Sequence, residues 1–316
     1  MRSLEDLRRE CLKRGLDVSE PPPPELARSP SAYFLSGSSM TAEIRGIRAA
    51  GRSVGVTAPN LSKNAEAELV DGSQPDEVAF VDSGAFSEVI FDGGAWVVSK
   101  PIEPLDWARI LDLYERLVSS FRGQVSLVAP DRVGCQTETL ARLVTHRARL
   151  ERLAGDGGRV LVPLQKGKDS LAAFYSRVES AIGPAWWSPA FPFKKNATSI
   201  LELETFLAER SPKDAHVLGV GLRSRLLPAL ARSFDKAGLD YTIDSCWITG
   251  NVGTSNGPGG GARRYTRARW MAKKVLGVSV SPRVTELALY CCLVEPDCSC
   301  CGQPYTPGQP GACCGA

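Results

Sequence analysis

Three aspartates and a glutamine stand at the downstream ends of short apolar runs. Asp82 closes the run at 78–82, Asp131 closes 125–131, Gln165 follows 159–164 and Asp244 closes 241–244. A single carboxylate in such a place is as often a helix N-cap or loop acceptor as a reacting group. Four amide or carboxylate groups meeting at one mouth are harder to assign to capping alone. Carboxylates held close together repel, so at least one pKa rises, and a site can draw an acid and a base or nucleophile from the same residue type.

Two other groups of residues have chemical potential. Seven of the ten cysteines fall between Cys291 and Cys314. The N-terminus, MRSLEDLRREC, has no hydrophobic signal core, and no run of about 18 apolar residues occurs, so a reducing cytoplasm is the expected setting and metal binding the expected use of the thiols. Cys298-x-x-Cys301-Gly302 has the shape of a zinc knuckle, and Cys313 and Cys314 complete an all-thiolate set with no open position, as a structural Zn²⁺ requires. Cys291, Cys292 and Cys300 offer alternative ligands, and an iron–sulfur cluster or unliganded thiols are the competing readings. The second group is basic: Arg263, Arg264, Arg267, Arg269, Lys273 and Lys274 occur with no acidic residue between positions 250 and 281. The whole chain carries a formal +3, and removing those six charges leaves the remainder at −3. The positive field is therefore local, either a phosphate-binding strip or an ordinary solvated helix face.

These residues need a scaffold. At 316 residues, 43% hydrophobic and 23% charged, the composition is that of a globular protein. Short apolar runs at 33–36, 53–57, 78–82, 125–131, 159–164, 185–191, 216–220 and 241–244 alternate with helical patterns at 41–50, 137–154, 170–182, 198–209 and 224–237, the habit of parallel βα units. Eight strands is the number that closes a (β/α)₈ barrel, which takes about 250 residues. An open doubly wound sheet is the alternative, weakened by the absence of a GxGxxG or GxxxxGK[ST] phosphate loop. The expected organisation is an arm at 1–30, a (β/α)₈ TIM barrel at 31–285 and a cysteine-rich segment at 286–316. In the arm, Leu4, Leu7, Cys11 and Leu12 have helical spacing before the prolines at 21–24; it reads as a docking helix, or as the first half of a SAP-type DNA-binding motif whose second helix is replaced by prolines. A hairpin is expected at 91–106, turning at Gly93-Gly94, and a glycine-rich loop at 249–262; both would leave the barrel at the strand C-termini, where barrel enzymes keep their active sites.

The motifs VDSGAF (81–86), VAPD (128–131), PLQKG (163–167), LGVG (218–221) and YTIDSC (241–246) follow one another in the order of those in the tRNA-guanine transglycosylase superfamily, which the chain resembles over about two thirds of its length. The resemblance implies a (β/α)₈ barrel that exchanges guanine in a polynucleotide for a 7-deazaguanine. It implies Asp244 as the nucleophile at the sugar C1′, Asp82 as the general acid/base, and Asp131 and Gln165 as readers of the base edge. Covalent glycosyl transfer through a carboxylate with two displacements is sound chemistry for such a set. Gly84, Gly219 and Gly221 would allow close backbone approach to a ligand or serve tight βα turns. Phe86 is the first candidate for stacking on a flipped base, followed by Trp186, Trp187 and Trp247.

The chain also departs from the tRNA enzymes. Its last loop is WITGNVGTSNG, with arginines delayed to Arg263 and Arg264; SPAFPF replaces a glycine-rich motif; and both histidines, His146 and His216, lie within the barrel rather than beside the cysteines. No RNA-binding extension is evident. These departures favour resemblance to the DNA-acting 7-deazaguanine transglycosylases of phages and bacterial modification clusters. DNA is therefore the expected polymer partner, with tRNA the alternative, a 7-deazaguanine base the small substrate, and helper proteins that open the duplex possible partners. A non-catalytic zinc-containing nucleic-acid-binding module is the reading from outside the enzyme class.

Overall fold

The computed structural model describes residues 26–245 except 50, 72, 74–75, 93–94, 98–103, 123, 185, 194–196 and 223, together with 297–298 and 303–304. Eight parallel strands form a closed barrel: β1 (Ala32–Ser38), β2 (Ser53–Thr57), β3 (Ala79–Asp82), β4 (Val125–Val128), β5 (Arg159–Pro163), β6 (Trp187–Pro192), β7 (Ala215–Leu218) and β8 (Tyr241–Ser245). Each neighbours its successor, and β8 returns to pair with β1 in the register Phe34↔Asp244. That pairing excludes the open sheet.

All eight strands anticipated from the apolar runs are present. The alternation along them divides two environments. Phe34, Phe80, Val128, Leu161 and Ala190 meet inside the barrel, while intervening residues such as Leu35, Val54, Val81, Val160, Val217 and Ile243 face the helices. The helices follow their strands in turn: α1 (Thr41–Ala49), α2 (Lys63–Asp71), α3 (Trp107–Ser120), α4 (Gln136–Gly155), α5 (Leu171–Ile182), α6 (Ile200–Glu209) and α7 (Leu227–Lys236). Their starts are set locally. Asp106 accepts from the Arg109 N–H, Ser170 from the Ala173 N–H, and Ser199 with Glu202 forms a capping box, each worth about 1 kcal/mol.

The inserted hairpin is found as Ile90–Asp92 paired antiparallel with Ala95–Val97, bracketing the Gly93-Gly94 pair as expected. No helix among the described residues is long and apolar enough to cross a membrane. The N-terminal arm up to residue 25, the glycine-rich loop, Arg263, Arg264, Arg267, Arg269, Lys273 and Lys274, and Cys301, Cys313 and Cys314 lie outside the described residues. Cys298 belongs to a two-residue strand, Asp297–Cys298, paired antiparallel with Gln303–Pro304.

Candidate active site

The strand ends open onto a cleft of about 730 Å³, open solvent included, whose lining contains Asp82, Ser83, Phe86, Asp131, Gln165, Gly219 and Asp244. All four polar strand-end residues singled out in the sequence thus share one cavity. It lies at the C-terminal face, because Asp82 ends β3, Asp244 belongs to the end of β8, and Asp131 and Gln165 follow β4 and β5.

Asp244 forms one wall. Its Oδ2 accepts from Ser36 Oγ at 2.6 Å, and its Oδ1 accepts from the Gly219 N–H at 2.9 Å and lies 3.3 Å from His216 Nε2. Burial alone would raise the pKa of this carboxyl, but His216, Ser36 and the Gly219 amide outweigh it and hold Asp244 below the usual carboxylate value. Ser36 reaches this position because Gly55 on β2 leaves room: a Cβ at Gly55 would lie 2.6 Å from the Ser36 Cα.

The opposite chemistry is found at Asp131. Its Oδ1 accepts from Ser83 Oγ at 3.0 Å and its Oδ2 from Gln165 Nε2 at 2.8 Å. Burial, and next the charge of Asp82, push Asp131 up to about 7, against the lowering effects of Ser83 and Arg142. One cleft therefore contains a carboxyl held ionised and another poised near neutrality. Such divergence between like groups is a mark of acid–base sites.

Asp82 accepts at Oδ1 from the Gly84 N–H at 3.1 Å. Gly84 has φ +80, and a Cβ there would sit 2.3 Å from Pro59 Cγ, so glycine is needed for the turn and for contact with the loop after β2. It approaches a neighbouring loop, not the cleft. Phe86 does line the cleft and packs on Ala85, Val89 and Val133.

A second layer fixes the base of the Asp131 side. Gln165 Oε1 accepts from the Gly134 N–H at 2.9 Å, and Gln136 Nε2 donates to the Gln165 carbonyl at 2.9 Å. Arg142 Nη1 donates to the Asp131 carbonyl at 2.6 Å and to Glu88 Oε2 at 2.7 Å, and Arg132 Nη1 adds a bond to the same Glu88 oxygen at 3.1 Å. The buried Glu88 carboxyl is held below its ordinary value; burial opposes this, but the guanidinium of Arg142, the Leu105 amide and Arg132 prevail. Asp131 and Gln165 thus rest on an already satisfied polar network.

The structure corrects the placement of two tryptophans. Trp186 and Trp187 stand at the start of β6, the opposite end of the barrel from the cleft, and their indole N–H groups donate to the carbonyls of Ile182 and Gly183 at the end of α5. Trp187 also packs on Tyr175, with ring centroids 4.9 Å apart. Both are packing residues; Trp247 lies outside the described residues. Sequence reasoning passed over Ser36, Ser83 and His216. Each is a polar residue in or beside an apolar run, and each is satisfied by a carboxylate remote in sequence.

Among the described residues there is no group of three or more His, Cys, Asp or Glu side chains arranged to hold a metal. No protein-family model and no curated protein matches the chain. Among solved structures it is similar to a truncated 3-deoxy-D-arabino-heptulosonate 7-phosphate synthase from Thermotoga maritima, at 11% identity and TM-score 0.40 over 87% of this chain and 89% of that one. It is also similar to a D-allulose 3-epimerase from Methylomonas sp., at 9% identity and TM-score 0.38 over 72% and 85%. The barrel is read from its own strand order, and these likenesses carry no argument about its chemistry.

Proposed function

We propose that the protein is a DNA-guanine transglycosylase, replacing guanine in DNA with a 7-deazaguanine such as 7-cyano-7-deazaguanine through a covalent aspartyl-glycosyl intermediate. The observation that carries this reading is the pairing, within one cleft, of the immobilised carboxylate Asp244 with Asp82 and the hydrogen-bonded Ser83–Asp131–Gln165 edge. The ordered sequence motifs add the substrate class.

In the first displacement an Asp244 oxygen forms a bond to C1′ as the bond from C1′ to guanine N9 breaks. Its electron pair leaves with the base, and the proton that guanine takes up is delivered from the Asp82 carboxyl, whose neighbour Asp131 is then the ionised member of the mutually repelling pair. In the second displacement Asp82 removes the N9 proton of the incoming deazaguanine, N9 bonds to C1′, and Asp244 departs as carboxylate. Two inversions retain configuration, and the proton count closes on Asp82. Ionised Asp131 would accept from the N–H groups of a guanine-like edge, while Gln165 holds its orientation. Phe86 supplies an apolar surface for the ring, which helps repay the few kcal/mol of unstacking. The basic residues at 263–274 would hold phosphates, and the setting would be cytoplasmic, that of the host if the gene is viral.

Incubating DNA and, in parallel, tRNA with labelled 7-deazaguanine tests the reading. Label is expected in DNA, with a covalent protein–DNA adduct stable on a denaturing gel. Label in tRNA alone would make this the RNA-acting enzyme, and no label or adduct with either polymer would leave a binding module. Cys298, Cys301, Cys313 and Cys314 would hold one structural Zn²⁺, whose thiolates would stabilise the tail without entering the reaction. Metal analysis of the purified chain is expected to give one zinc per molecule, and a metal-free preparation with native thermal stability would refute this part.

A further inference from the structure

Below Asp244 a chain of hydrogen bonds runs along the inside of the barrel. Arg159, at the start of β5, donates from Nη1 to Thr242 Oγ1 at 2.7 Å, and its Nη2 donates to Asp214 Oδ1 at 2.8 Å. Thr242 Oγ1 is 2.7 Å from His216 Nδ1, and His216 Nε2 is 3.3 Å from Asp244 Oδ1. Thr242 and His216 are register partners on β8 and β7, so inward-facing alternation puts Thr242 beneath Asp244 on one strand and His216 beside both. His216 has no exposed surface; Phe80 stacks on it at 5.0 Å and Phe34 lies at 6.2 Å. It does not line the cleft.

We infer that His216 is a positioning residue for the Asp244 carboxylate, acting as a neutral imidazole protonated at Nε2. Directionality supplies the reason. Arginine has no acceptor, so the Arg159 bond is donated to Thr242. Ionised Asp244 can only accept, so His216 Nε2 carries the ring proton and donates to Oδ1; in a neutral ring Nδ1 is then the acceptor, and the Thr242 hydroxyl, taking the Arg159 bond on a lone pair, turns its hydrogen to it. A doubly protonated ring would be an ion enclosed between two phenylalanines with a guanidinium one hydroxyl away. The charged groups facing the ring are Asp244 on β8, Arg159 on β5 and Asp214 preceding β7; burial, the leading influence, keeps the imidazole below its usual pKa despite the opposing pull of Asp244.

The consequence is directional. Among the described residues Oδ1 receives two donors, from His216 and Gly219, whereas Oδ2 receives one, from Ser36. A carboxylate has about four lone-pair sites, and Oδ2 therefore keeps one for a reacting carbon. His216 makes Oδ2 the nucleophilic oxygen by occupying its twin. This rests on the proposed role of Asp244, but its principal test does not.

The chain has two histidines. Imidazole ¹⁵N labelling therefore gives two ring systems, assigned with a His146→Gln variant. The expected spectrum shows His216 as the Nε2–H tautomer, unchanged from about pH 5.5 to 8. An Nδ1–H tautomer, or both nitrogens protonated at neutral pH, would overturn the inference whether or not base exchange is ever observed. In the exchange assay, His216→Phe is expected to lower kcat about 10- to 100-fold with KM unchanged, as loss of a hydrogen bond to a charged group does. His216→Gln, which restores a donor, should recover most of the loss. A His216→Phe variant that folds and retains full kcat would count against positioning, and should it fail to fold, the wild-type spectrum decides.

Discussion

Asp244→Ala is expected to reduce guanine exchange by about 10⁴-fold or more, the scale seen when a covalent nucleophile is removed. The neighbouring Asp131 is poorly equipped to replace it. Asp131 is held near neutrality by burial and by Asp82, and so spends much of its time protonated at the pH of the cell. Three donors hold Asp244 below the usual carboxylate value, so it keeps its charge at the pH of the cell, as the proposed nucleophile must. Its depressed pKa also carries a sign for stability. The contribution is present above the unfolded carboxyl value and disappears as pH falls through the lower folded value. Truncation leaves the Gly219 amide and the ring of His216 without their acceptor in the barrel, at a cost of about 1–3 kcal/mol for each buried group left unpaired. Single-turnover incorporation, with a thermal melt as control, separates the two effects. A folded Asp244→Ala protein that still incorporates base at the wild-type rate would remove this residue from the chemistry.

Asp131→Asn is expected to stabilise the fold while impairing the proposed binding of a guanine-like base. The native carboxyl holds its proton up to about pH 7, whereas the unfolded chain releases it near the ordinary aspartate value of 3.8. Between those values the native state binds more protons than the unfolded one. Stability therefore falls as pH rises from about 4 to 7, by about 4 kcal/mol in total at 1.36 kcal/mol per unit. An asparagine carries no such penalty. It can accept from Gln165 Nε2 with its oxygen and donate to Ser83 Oγ with its nitrogen, so both hydrogen bonds survive. The melting temperature of the variant is expected to exceed that of wild type at pH 8 and to approach it near pH 4. Base affinity should move the other way. Wild-type binding of a guanine-like edge should strengthen as pH rises through about 7 and Asp131 becomes a full acceptor, whereas the variant should bind weakly with little pH dependence. Equal melting points at pH 8 together with an unaltered binding profile would contradict both halves.

Much of this arrangement is legible in the sequence because strand ends are punctuated. An aspartate closing a short apolar strand, as in AFVD, marks both the limit of burial and the direction of the chain. The eight strands and the convergence of Asp82, Asp131, Gln165 and Asp244 follow from that punctuation. Side-chain partnerships are less legible. His216 in AHVL looks like an interruption of an apolar strand, and only barrel closure brings it to Thr242 and Asp244. The tryptophan pair shows a different obstacle. Trp186 and Trp187 are apolar enough for a base pocket, but they stand at the start of their strand, and direction along the chain decides which end of a parallel barrel a residue occupies. Ser36 is obscured for a third reason: its role depends on the space left by a glycine on the next strand.

The pairing of the first and last strands also has a bearing on how the protein is made. Ser36 and Asp244 touch across a sequence separation of 208 residues, and Phe34 and Asp244 are partners at the seam that closes the ring. Contacts so distant form late, after the loop entropy of the intervening chain has been overcome. A nascent chain emerging from the ribosome can present Asp82, Asp131 and Gln165 well before β8 exists, yet the carboxylate that would attack DNA acquires its alignment only when the ring shuts. The proposed activity would thereby be tied to completion of the barrel, and a partly synthesised or locally opened molecule would contain most of the proposed recognition groups without an aligned nucleophile.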